Sequence, residues 1–181
     1  MAKKIFTSDL STDGIEKLKK QLLDYKQGLN EKCIAFVKRL ADEGIIVAQQ
    51  NVGGFGKYIT FNTTVVPENG GYHGIMLATN TGIITSQWKT KEGEKSADVS
   101  PLLMVEFGSG LRAQNPKNIP GVGTGTFPGQ THAGDANGWW YMDLDGVWHH
   151  SYGVTPKMPM YKASLEMHSK ITSIAREVFG R

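Results

Sequence analysis

The chain has one cysteine, Cys33, in 181 residues, so no internal disulfide can form. A reducing cytosol during synthesis is the simplest setting for such a sequence. No apolar run approaches the ~20 residues that span a bilayer. The first ten residues, MAKKIFTSDL, carry a basic pair without the apolar core of a secretory leader. The glycine run GVGTGT follows Pro120, precedes Pro128 and opens no helical pattern, and no Gly-Lys-Ser/Thr occurs anywhere. A phosphate loop needs a strand before it and a helix after it, because the helix N-terminus holds the anion, so this run does not read as a phosphate loop. Ser109 has Phe107 two residues before it where a nucleophile elbow needs glycine, which removes that chemistry as well.

What is present is ordinary for a single globular domain over residues 1–181: 39% apolar, 20% charged, formal net charge +3. That charge is unevenly spread. Residues 1–40 carry a net +4, residues 41–156 a net −4, and residues 157–181 a net +3. Basic ends around an acidic middle suit head-to-tail contact between copies, or simply a solvated helix pair with its lysines outward. The lysines are not interleaved with aromatics, so nucleic-acid readout has little support.

Ile15, Leu18, Leu22, Tyr25, Leu29, Cys33, Phe36 and Leu40 recur at three- and four-residue steps. They predict one apolar stripe on a long helix, or on two helices broken near Gly28, packed on a sheet or against a neighbouring subunit. Ser11, Thr12 or Asp13 can cap its start. KYITFNTTVV and YHGIMLATNTGIITSQW, rich in β-branched and aromatic residues, flank the turn signal PENGG and predict a hairpin. KTKEGEKSADVS reads as a charged loop, PLLMVEF as a third strand and GWWYMDLDGVWHHSYG as a fourth, bent at Asp145–Gly146. The end, from Tyr161, predicts a helix with Leu165, His168, Ile171, Ile174, Ala175 and Val178 on one face. The expected fold is therefore α+β: an N-terminal helix or helix pair, a mainly antiparallel sheet of about four strands, and a C-terminal helix. A Gly/Pro-rich loop at 108–138, anchored by Phe127, precedes the last strand and has the length of loops that order against a partner.

Three groups of residues have chemical potential. Glu106, alone in an apolar run, is either an acid of raised pKa or a structural carboxylate bonded to backbone amides or to Arg112. Asp143 and Asp145 share a strand face, and with His132 or His150 they form the alternative reading of a small metal-dependent hydrolase. His149 and His150 point to opposite faces and do not readily serve one ion. Trp139 and Trp140 likewise face opposite sides, which implies that both faces of their strand are covered, one by helices and the other by another subunit. No catalytic set, cofactor or metal is expected.

The runs SPLLMVEFGSGLRAQ, GWWY and GVTPKMPMYKASLE together resemble the head–tail joining family of tailed bacteriophages, small neck or tail-completion proteins also described as minor tail components. That family shows a Tyr/Val-Glu-Phe-Gly-Thr/Ser-Gly segment, a Gly- and Pro-rich stretch, and a Pro-x-Pro entry to the last helix. Here these are Val105, Glu106, Phe107, Gly108, Ser109 and Gly110, then Pro156, Pro159 and Tyr161. The family's Ala-Pro-Val-Asp-Thr-Gly segment is replaced by AQQNVGGFGKYITF. The resemblance implies a structural virion protein made in the host bacterial cytoplasm, not an enzyme, with no membrane contact. It implies a homo-oligomeric ring of six or twelve copies in the neck. A head connector or head-closure protein would lie on one side and a tail terminator or tail tube protein on the other, with DNA passing through without sequence-specific binding. Ring closure requires a heterologous interface, expected at the sheet edge, the 108–138 loop and the charge asymmetry.

Overall fold

The computed structural model describes residues 5–82, 84–90, 92–113, 136–142 and 147–180. Phe127, His132, Asp135, Asp143 and Asp145, with most of the Gly/Pro-rich loop, lie outside the described residues. The architecture is α+β, with a long N-terminal helix, antiparallel strands and a C-terminal helix.

Helix α1 (Thr12–Asn51) is one continuous helix of 40 residues, unbroken at Gly28. Ser11 caps it, its Oγ accepting from the Gly14 N–H at 3.1 Å. Strands β1 (Ile59–Glu68) and β2 (Gly71–Asn80) form the expected hairpin, in register from Ile59 opposite Asn80 to Glu68 opposite Gly71. The turn is Asn69–Gly70, where Gly70 takes φ 87°, open to glycine. The segment read as one long strand through Trp88 divides in two, and β3 (Ile84–Thr90) pairs with β4 (Gly93–Val99). The expected charged loop is thus largely strand. Among the described residues the strands form two sheets rather than one: the β1–β2 pair, and a sheet ordered β4-β3-β5-β6 with β5 (Trp139–Met142) and β6 (Trp148–Ser151).

The third expected strand is instead a helix, α2 (Pro101–Phe107). Ser100 is its N-cap, with its Oγ 3.3 Å from the Leu103 N–H, and Pro101 occupies the first turn. The Asn80 side chain at the end of β2 adds a second acceptor, Oδ1 to the Leu102 N–H at 2.9 Å, and donates to Ser100 Oγ at 2.7 Å. An apolar run of this length is ambiguous between helix and strand; capping by Ser100 and Asn80 decides it.

Helix α3 (Pro159–Phe179) packs along the second half of α1, and the β1–β2 hairpin covers α1 from another side. The buried face of α1 is a row of small residues, Ala41, Gly44 and Ala48. A Cβ on Gly44 would sit 2.8 Å from Met167 Sδ of α3 and 2.9 Å from Met76 Sδ of β2, so α1 meets both neighbours at close approach. On α3 the inward residues are Ala163 and Ile174, while Leu165 and Ile171 of the expected face are exposed. Phe36 packs on Phe179 with ring centroids 5.7 Å apart, and Arg39 bonds Glu177 at 2.5 Å. Beyond this point α1 projects: Ile15, Leu22, Tyr25 and Leu29 of its predicted stripe are exposed. Phe6 lies edge-on to Tyr25 at 5.5 Å. A small core of Val52, Ile59 and Val105, flanked by Phe55, Phe61, Ala78 and Leu102, joins α1, the hairpin and α2. Among the described residues no helix is long and apolar enough to cross a membrane.

Candidate functional site

The residues singled out around Glu106 converge on one joint, where α2 and the turn after it hold the segment that enters α3. Helix α2 ends at Gly108, whose N–H donates to the Met104 carbonyl at 2.9 Å. Gly108 has φ 74°, and a Cβ there would lie 2.5 Å from the Val154 carbonyl oxygen and 2.7 Å from Pro156 Cδ. Gly110, at φ 60°, lies under the Trp139 ring, which a Cβ would strike. The two glycines therefore end a helix, not a strand, and let two backbones meet.

The pairing is dense. The Ser109 N–H donates to the Val154 carbonyl, and Ser109 Oγ accepts from the Val154 N–H, both at 2.9 Å. The buried Val105 carbonyl accepts from the Lys157 N–H at 2.8 Å and the Met158 N–H at 3.1 Å. Met158 is the residue before the α3 proline and adopts the left-handed region, φ 54° and ψ 51°. A residue before proline is pushed out of the right-handed helical region, and a non-glycine residue at positive φ persists only where its surroundings enforce it. Here the Val105 carbonyl supplies part of that enforcement.

Glu106 completes the joint. It is 8% exposed, and its Oε2 accepts from the Met160 N–H at 2.8 Å while Oε1 accepts from the Tyr161 N–H at 2.9 Å. These amides belong to the first turn of α3, opened by the buried Pro159, and Met158 makes no side-chain cap bond of its own. A carboxylate brought from α2 therefore serves as the cap and meets the positive end of the helix dipole. Burial pushes the Glu106 carboxyl above the ordinary glutamate range; the two amides, and then Lys162, pull it back. Lys162 itself donates to Asn51 Oδ1 at 2.8 Å, tying the start of α3 to the end of α1. The buried acid is a clamp: its oxygens face the chain's own backbone, and Arg112 stands exposed in the following 3-10 turn rather than paired with it.

The aromatic strand pair is a second feature. Trp140 lies opposite His150 in the register and contacts it at 4.8 Å between centroids, and Tyr152 continues the row at 4.6 Å. Trp140 is 59% exposed and Trp148 is exposed too, so within one chain the outer face of β5–β6 is open. His150 Nε2 lies 2.9 Å from the Asn137 carbonyl oxygen, and His149 falls on the other face of β6. Among the described residues no three His, Cys, Asp or Glu side chains gather around a common point. Cys33 is half-buried on α1.

Sequence reasoning named Glu106, Gly108, Gly110, Pro156, Pro159 and Tyr161 without bringing them together. It passed over Ser109 and Val154 as joint residues. A signal for them existed: the Ser-Pro pair at 100–101 marks a helix start, and a helix ending at Gly108 leaves Ser109 free to pair with another segment. No family model, curated protein or solved structure matches the chain.

Proposed function

We propose that this chain is a structural virion protein of a tailed phage, forming a ring of six or twelve copies in the neck between the head connector and the tail. The observation that carries the reading is the joint itself. Two of the three separated stretches on which the resemblance rests, Val105–Gly110 and the Pro-x-Pro entry at 156–163, fold against each other, with Glu106 capping α3. The glutamate and glycines of the motif are thus accounted for as architecture, and none of them needs a substrate. The exposed apolar stripe of α1 supports assembly, because a contiguous exposed apolar face marks an interaction surface.

The test is the mass of the purified chain by light scattering across a concentration and salt series, with negative-stain imaging of the largest species. A closed species of six or twelve copies with a central opening is expected. A chain that stays monomeric throughout, and that does not bind tail-less phage heads or free tails, overturns the reading.

A further inference from the structure

Two apolar surfaces of the chain lie open, and they are unlike each other. The first is the projecting half of α1. Ile15, Leu18, Leu22 and Leu29 line one side of it, continuing the seam that Phe36 makes with α3, and Leu22 is 46% exposed. At 1.5 Å per residue the stretch from Ile15 to Glu31 is about 25 Å long. Helical geometry puts Lys19 and Lys26 on one border of this stripe and Lys32 on the other, while Asp13, Asp24 and Glu31 share the opposite side of the helix with Lys20.

The second is the outer face of the β1–β2 hairpin. Strand alternation turns Ile59, Phe61 and Val65 inward to α1 and leaves Val66, Ile75 and Leu77 outward as an apolar patch among Thr60, Asn62, Thr64, His73 and Thr79, with Leu77 52% exposed. Ten residues at ~3.3 Å each make this face about 33 Å long. The hairpin contains no lysine or arginine, and its one formally charged residue is Glu68, beside His73 at the turn end. A two-stranded sheet is marginal unless packed, and this one already receives a helix on its inner face, with Val37 of α1 pressed against Gly74.

From these placements we infer that the lysine-bordered stripe of α1 in one copy docks on the outer face of the β1–β2 hairpin in the next copy. This repeats between chains the helix-on-hairpin packing found within one. Charge selects this pairing over stripe against stripe. Two stripes in contact bring Lys19 and Lys26 of both copies together, whereas the hairpin opposes them with no lysine or arginine and with Glu68, which pairs with His73. The contact is heterologous, so each copy offers one donor and one acceptor surface, the requirement for a closed ring. The inference rests on the ring reading and supplies its interface.

Leu22→Glu blocks the stripe and Leu77→Glu blocks the hairpin face. Both positions are exposed, so each variant should keep the circular dichroism and thermal midpoint of the isolated chain. Light scattering should show each variant reduced to one chain where the unaltered protein is oligomeric. An equimolar mixture of the two should recover a species of two chains, since one intact stripe then meets one intact hairpin. Single variants that both retain the full oligomer overturn this interface and leave the ring reading standing. Dissociation of only one variant, which shows a contact of like surfaces, or dissociation of both without pairing on mixing, also overturns it. Unaltered protein that is monomeric at every concentration overturns this interface, and it removes the ring reading as well when it also fails to bind tail-less phage heads or free tails.

Discussion

Glu106 and Met160 lie 54 residues apart in the chain and share a hydrogen bond of 2.8 Å. Replacing Glu106 with alanine leaves the Met160 and Tyr161 N–H groups without their acceptors at the start of a helix whose own N-cap residue makes no side-chain bond. The expected loss is about 1–3 kcal/mol of unfolding free energy, read from the urea midpoint. Glu106→Gln keeps an acceptor for one amide and should lose roughly half as much.

The same carboxyl gives stability a pH dependence. Its folded-state pKa is raised by burial, so in the window above the ordinary glutamate range the folded chain binds the proton more tightly than the unfolded chain. This contribution is fully present below the unfolded pKa and is lost as pH rises through the folded one. Urea titrations from about pH 4 to pH 7 should show the unaltered protein losing stability relative to Glu106→Gln as pH rises. A difference between the two proteins that stays flat or changes in the opposite direction contradicts the assignment.

Backbone substitutions should separate by position. Gly153 has φ 103°, and a Cβ there would collide with the Ser109 carbonyl oxygen, so Gly153→Ala should cost at least about 1–3 kcal/mol. Gly28 lies mid-helix in α1 with nothing within 4 Å of a Cβ. Gly28→Ala should therefore raise stability by about 0.5–1 kcal/mol. Thermal melts of the two variants should shift in opposite directions.

Gly44 tests the close approach of α1 to its neighbours. Its would-be Cβ meets the thioether sulfurs of Met167 and Met76, which are flexible, so Gly44→Ala should be tolerated. Gly44→Leu overfills the contact and should cost about 1–3 kcal/mol or more, with loss of near-ultraviolet dichroism.

The interaction of Ser109 with Val154 predicts a smaller effect. Ser109→Ala removes the Oγ acceptor of the Val154 N–H but keeps the backbone bond beside it, so the cost should be about 1–2 kcal/mol. Hydrogen exchange should report it locally, with faster exchange at Val154 and little change in α1.

Local pattern alone determined that this chain begins with helix, turns a hairpin within PENGG and ends in a helix, because periodicity, caps and turn glycines act within a few residues; that the first helix runs unbroken through Gly28 was left to the structure. It also drew attention to Gly108 and Gly110 through the motif they belong to. Only the tertiary structure decided what they end. Residues 101–107 carry an apolar run compatible with either period, and Asn80, reached through the hairpin, supplies the additional cap that makes them a helix. The buried faces of α1 and α3 were hidden for a related reason. Hydrophobic periodicity favours Leu22 and Leu165, but close helix packing selects small side chains, so Ala41, Gly44, Ala48 and Ala163 lie inside with Ile174 while Leu22 and Leu165 stay open. The partners of Glu106 lie 54 and 55 residues further along, beyond any local pattern. Burial and two waiting amides at a helix start decided its role, and both exist only once the chain has folded.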